Sequence, residues 1–142
     1  MLTNLDPARG VPDALYEALQ WEAATREEVC AGRVLRVHRD WLNGGFEQTF
    51  ANLDAIEEPS APYATAYADL ELPTVAALVT EAAAAWAAGG LADEEWDALD
   101  QRYERLTYGE GNGQDDAIEA AVVRYIQQRS AAFTNAFVLA QQ

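Results

Sequence analysis

The stretch WLNGGFEQTFAN, Trp41 to Asn52, decides how this chain folds. Two glycines, two amides and two aromatics sit at tight spacing where a ligand cradle and a helix corner would look alike. The spacing favours the corner. Asn43 and Gly44 fall just past an apolar helical pattern, where glycine or asparagine tolerates left-handed backbone. Gly45 either caps the next helix or lets a neighbour approach closely. Phe46 and Phe50 are four apart and share one face, while Gln48 and Asn52 share another, where their amides are expected to pin the turn. Glu47 and Asp54 make the surroundings negative, which disfavours an anion cradle.

Outward from this corner, helical spacing dominates. A first helix is expected after Pro12-Asp13, with Leu15, Leu19, Ala23 and Val29 or Cys30 inward, stopping near Gly32. A second is expected from Arg33 to Leu42, burying Val34, Val37 and Trp41, and a third from Phe46 to about Leu53. EEPSAP, Glu57 to Pro62, is a linker. A short helix follows with Tyr63, Tyr67 and Leu70 on one side. Pro73 opens the next, which ends at Gly89-Gly90. Asp93 is expected to cap a helix whose inner seam is Trp96, Leu99, Tyr103 and Leu106. TYGEGNGQ, Thr107 to Gln114, reads as a loop. Asp116 with Glu119 then resembles a capping box opening one long last helix, lined by Ile118, Val122, Tyr125, Ile126 and Phe133. Alanine is abundant, and no strand pattern, repeat or domain boundary is visible. The expectation is a single all-α domain over residues 1–142, with about six or seven helices.

The totals narrow function. The chain has 142 residues, 24 acidic and 9 basic, a net charge of −15, and half its residues are apolar. All the basic residues are arginines. Such a molecule repels nucleic acid and anionic membranes and attracts basic surfaces. Cys30 is the only cysteine, which excludes an intrachain disulfide. MLTNLDPARG has no basic segment leading into an apolar one, and Val75 to Ala88 is interrupted by Glu81 and too short to span a bilayer. A cytoplasmic location is the expectation.

The pattern Asn43-Gly44-Gly45-Phe46-x-Gln48-x-x-x-Asn52 resembles the signature of a bacterial family of unknown function named after an acidic DNA-mimic protein, whose C-terminal domain it describes. The resemblance extends more loosely through Trp96, Leu99 and Tyr103 and the segment from Ile118 to Phe133. It covers about two thirds of the chain. It implies an all-helical fold and a role in which carboxylates stand in for DNA phosphates and sequester a DNA-binding protein.

Catalytic groups are sparse. His38 is the only histidine and flanks an apolar face, as a satisfied core-edge residue would. Cys30 reads as a small hydrophobe. There is no Gly-x-Ser-x-Gly, phosphate loop or His-Glu-x-x-His. The glycines around Glu110 and Asn112 do not match a calcium loop. No enzyme activity, cofactor or metal is expected. Arg33, Arg36 and Arg39 form the one basic stripe, either a phosphate site or, as favoured here, partners for Glu27, Glu28 or Asp40.

The acids carry the functional expectation. Between Asp93 and Glu119 ten acidic residues and two arginines give a net −8 in 27 positions. Asp93, Asp97, Asp100 and Glu104 fall at helical steps and share one face. They span about 16 Å, one charge every ~5 Å, whereas duplex DNA carries one about every 1.7 Å. A duplex-like surface therefore needs several acidic helices, or a homodimer that doubles one. The expected partner-binding set is Asp93, Asp97, Asp100, Glu104, Asp115, Asp116 and Glu119, facing a basic, DNA-binding protein without direct nucleic-acid or membrane binding. Competing readings are an acidic domain without mimicry, serving solubility, high-salt adaptation or an antidote-type interaction, and a carboxylate-based hydrolase or small-molecule binder.

Overall fold

The computed structural model describes residues 4–109 and 115–142. Among them it is all-α, with seven helices and no strand. Residues 110–114 of the glycine loop lie outside the described residues, as do residues 1–3.

The first helix is shorter than its apolar spacing predicts. α1 covers Asp13–Trp21 and buries Leu15, Ala18 and Leu19. The chain breaks there because Thr25 and Glu28 form a capping box: Glu28 N donates to Thr25 Oγ1 at 3.0 Å and Thr25 N to Glu28 Oε1 at 3.0 Å. Satisfying otherwise orphaned N–H donors makes Thr25 a start signal stronger than the run of helix formers around it. Gly32, expected as a stop, lies inside α2, Arg26–Ala55. Its missing side chain has a packing reason: a Cβ there would sit 2.8 Å from the Leu19 carbonyl oxygen of α1.

The corner at the double glycine is real but sits one residue later than expected. Asn43 and Gly44 stay helical, and only Gly45 leaves the helix, with φ 79° and ψ −175°. That conformation is essentially reserved for glycine. The chain resumes as helix at Phe46, and Thr49 Oγ1 donates back to the Gly45 carbonyl at 2.8 Å.

After the turn come α3 (Ala61–Asp69) and α4 (Pro73–Ala87), with Tyr63, Tyr67, Val75, Leu78 and Val79 buried. Gly89 and Gly90, both at positive φ, follow α4 as expected. α5 covers Asp93–Tyr108. Its N-cap is Ala92 rather than Asp93, with Glu95 reaching back to the Ala92 N–H at 3.4 Å. α6 covers Ala117–Gln128. The expected long last helix breaks there, continuing as a 3-10 turn over Ser130–Phe133 and then α7, Thr134–Ala140. Spacing alone missed this break, because Phe133 keeps its inward position through the change of helix type and is fully buried.

α2 is the central element, touching α1, α3, α4, α5 and α6. Tyr67, Tyr103, Phe46, Phe50 and Phe133 are the largest fully buried side chains of one connected core. No helix of the described residues is long and apolar enough to cross a membrane.

Candidate functional site

The acidic stripe and the glycine corner, distant in sequence, meet in space. Trp41, Gly44, Gly45, Asp97, Asp100, Gln101 and Glu104 line one notch of about 300 Å³. Trp96, Leu99 and Tyr103 face the core, which turns Asp93, Asp97 and Glu104 to solvent. The two arginines of α5 lie elsewhere. Arg102 and Arg105 line a hollow with Thr74, Leu78 and Leu106, and Arg102 pairs with Glu81 of α4 at 2.9 Å. The solvent side of α5 thus carries an acidic strip beside the corner, while its two arginines lie toward α4, one of them paired with Glu81.

Asp100 belongs to the stripe by spacing but not by environment. It is half-buried, and its Oδ1 accepts from Phe46 N at 3.0 Å and from Trp41 Nε1 at 3.0 Å. The first bond satisfies a donor at the start of the resumed helix, where a carboxylate also meets the helix dipole favourably. Asp100, not the amides of Gln48 and Asn52, therefore pins the corner. Neither amide makes a hydrogen bond among the described residues, and Gln48 instead folds over Gly44, where a Cβ would sit 2.7 Å from its Oε1.

The α6 group divides in the same way. Asp115 is exposed. Asp116 is the N-cap of α6, accepting from Ile118 N at 3.0 Å and Glu119 N at 2.9 Å through Oδ1. Its Oδ2 lies 2.6 Å from Nε2 of His38. Burial pushes the Asp116 carboxyl up, but the hydrogen bond and charge of His38, with the N–H groups of Glu119 and Ile118, outweigh it and hold it below the ordinary range. Glu119 does not complete the predicted capping box. It is buried against the segment before α1, accepting from Val11 N at 2.8 Å and pairing with Arg39 Nε at 3.1 Å.

His38 is fully buried rather than at the core edge. Its Nδ1 is 2.8 Å from the Tyr103 hydroxyl, which is 2.8 Å from the Tyr67 hydroxyl. The buried polar chain Asp116–His38–Tyr103–Tyr67 thus ties α6, α2, α5 and α3 together. Burial, with Tyr67 beside it, pushes the Tyr103 hydroxyl far up. Burial, together with the negative charges of Asp116, Glu104 and Glu119, raises the Tyr108 hydroxyl at the end of α5.

The arginine stripe is spent mostly inside the fold, though on other partners than Glu27 or Glu28. Arg36 pairs with Asp40 at 3.5 Å. Arg39 binds Glu119, Asp13 and the Val11 carbonyl and stacks on Tyr16. Arg33 lies over the Tyr63 ring at 5.7 Å without a carboxylate partner among the described residues. Glu28, which charge pairing alone does not place, is fully buried on backbone donors of Ala24, Thr25 and Ala136. Its signal was legible as Thr25-x-x-Glu28. Burial pushes the Cys30 thiol up to about 11. Among the described residues, no three His, Cys, Asp or Glu side chains converge as metal ligands would. No family model, curated protein or solved structure matches the chain.

Proposed function

We propose that this protein is a non-catalytic acidic module that binds a basic, DNA-binding protein by presenting carboxylates where DNA presents phosphates. The observation that carries the reading is the acidic strip of helix α5: Asp93, Asp97 and Glu104 are exposed with no arginine within ion-pair distance among the described residues, while Arg102 and Arg105 sit toward α4. An unneutralised strip keeps its field available to a cationic partner and speeds encounter more than it adds affinity. Asp115 extends the reading toward α6. Asp100, Asp116 and Glu119 serve it by fixing the shape on which the strip stands. A homodimer would raise the charge density toward that of a duplex.

The test is a competition titration. A basic partner captured at low salt from the native host is titrated with labelled duplex DNA and with this protein. Displacement of the DNA, together with affinity that falls steeply with salt, supports mimicry. The double substitution Asp97→Lys, Glu104→Lys is expected to weaken capture at least tenfold while leaving the helical circular dichroism intact. Simultaneous binding of DNA and this protein to the partner would refute mimicry and leave a plain acidic interaction module.

A further inference from the structure

On another side of the molecule, α2 and α3 enclose a groove of about 460 Å³. Cys30 Sγ contacts the Ala66 carbonyl at 3.3 Å, and Arg33 lies over Tyr63, so the two helices run antiparallel here. Arg33 therefore stands beside the start of α3, and Arg26 stands beside Asp69 at its end. Val29, Cys30, Pro62 and Ala66 make an apolar wall between the two ends.

The groove holds two arginines against one carboxylate, Asp69, in a chain with an excess of acids. With 24 acidic residues against 9 arginines, an arginine would be expected to find a carboxylate. Arg9, Arg36, Arg39 and Arg102 all do. Arg26, Arg33, Arg105, Arg124 and Arg129 do not among the described residues, and of these Arg26 and Arg33 share this one groove. The Arg33 end gains a second positive contribution. α3 begins at Ala61, after a Ser60 that makes no side-chain cap, so the positive end of its dipole lies next to the guanidinium. Glu58 in the loop and Asp69 at the far end are the nearby negative groups, and neither reaches an arginine within ion-pair distance.

We infer that the α2–α3 groove binds a small amphipathic carboxylate, with its head on Arg33 at the start of α3 and its apolar chain along Val29, Cys30 and Ala66 toward Arg26. A guanidinium suits a carboxylate head because its fork of donors matches two oxygens. From Arg33 to Arg26 the helix rises about 10 Å, which sets a tail of roughly eight carbons. At the far end Asp69 offsets Arg26, so that end tolerates an uncharged terminus better than a second anion.

Octanoate is the probe, titrated by calorimetry and by amide chemical shifts of the intact protein. Saturable 1:1 binding is expected, with shifts centred on Cys30, Thr65 and Ala66. Arg33→Gln should weaken it at least tenfold and Arg26→Gln only about two- to threefold. Arg105→Gln, in the unrelated α4–α5 hollow, controls for general attraction of anions and should leave it unchanged. 1-Octanol, which keeps the tail and loses the charge, should bind at least tenfold more weakly than octanoate. The inference is overturned by an absence of saturable binding, by equal affinity for 1-octanol, or by an equal loss in Arg33→Gln and Arg105→Gln.

Discussion

Two regions of this molecule use the same residue types for opposite ends. Inside the fold, Glu28 at the start of α2, Asp100 beside the corner, and Asp116 and Glu119 at the start of α6 each accept backbone N–H groups that would otherwise be unsatisfied. On the outer strip of α5, Asp93, Asp97 and Glu104 make no such bonds among the described residues and are exposed to water. The first group exchanges hydration for several short, charge-assisted bonds, which makes a half-buried carboxylate favourable. The second keeps its hydration, contributes little to stability, and leaves its charge free to act at a distance. A net −15 is therefore not a measure of the field this protein presents, because part of the acidity is structural.

Substitutions on either side can break the distinction. The largest effect is expected at Gly45. A valine there would face a backbone region closed to β-branched residues and would place its Cβ 2.7 Å from Asp100 Oδ2. The loss should be about 3 kcal/mol or more, read from denaturant unfolding, since backbone strain and displacement of the Asp100 carboxylate add. An unchanged midpoint would show that the corner is not held by this contact.

Asp100→Ala tests the same corner without backbone strain. It leaves Phe46 N and Trp41 Nε1 without their acceptor, and about 2 kcal/mol should be lost. A cost as small as that of Asp97→Ala would dissolve the distinction between the two regions.

Asp116→Asn keeps a good N-cap but removes the charge beside His38, so about 1 kcal/mol is expected at neutral pH. The pH dependence sharpens the point. Because the folded state holds this carboxyl below its unfolded value of about 3.9, its contribution is present above that pH and fades as pH falls through the folded value. The difference between wild type and Asp116→Asn should therefore close on acidification below about pH 4. A gap that closes only above pH 5 would assign the linkage to another group.

Asp97→Ala should be the mildest, within about 0.5 kcal/mol and on the stabilising side if relief of self-repulsion dominates. Loss of more than about 1 kcal/mol in a thermal melt would mean that the outer strip also has a structural task.

The sequence by itself determined the class of fold and much of its core. Three- and four-residue apolar spacing fixed the buried faces of α3, α5 and α6, with Tyr63, Tyr67, Trp96, Leu99, Tyr103, Ile118 and Val122 inside, because burial follows the helical period wherever a helix is continuous. It also located the corner, since few residues other than glycine permit such a turn. Where spacing competed with capping it misled. The capping box at Thr25 split one expected helix, and the break at Gln128 split another without moving Phe133 out of register. Only the tertiary structure decided which acids are which. Asp97 and Asp100 lie three apart on one helix and are alike in sequence, yet Asp100 falls within hydrogen-bond reach of Phe46 and Trp41, 54 and 59 residues earlier. Donors that lie so far back along the chain leave no local pattern. Whether a carboxylate becomes a cap or a surface charge is settled only when helices pack.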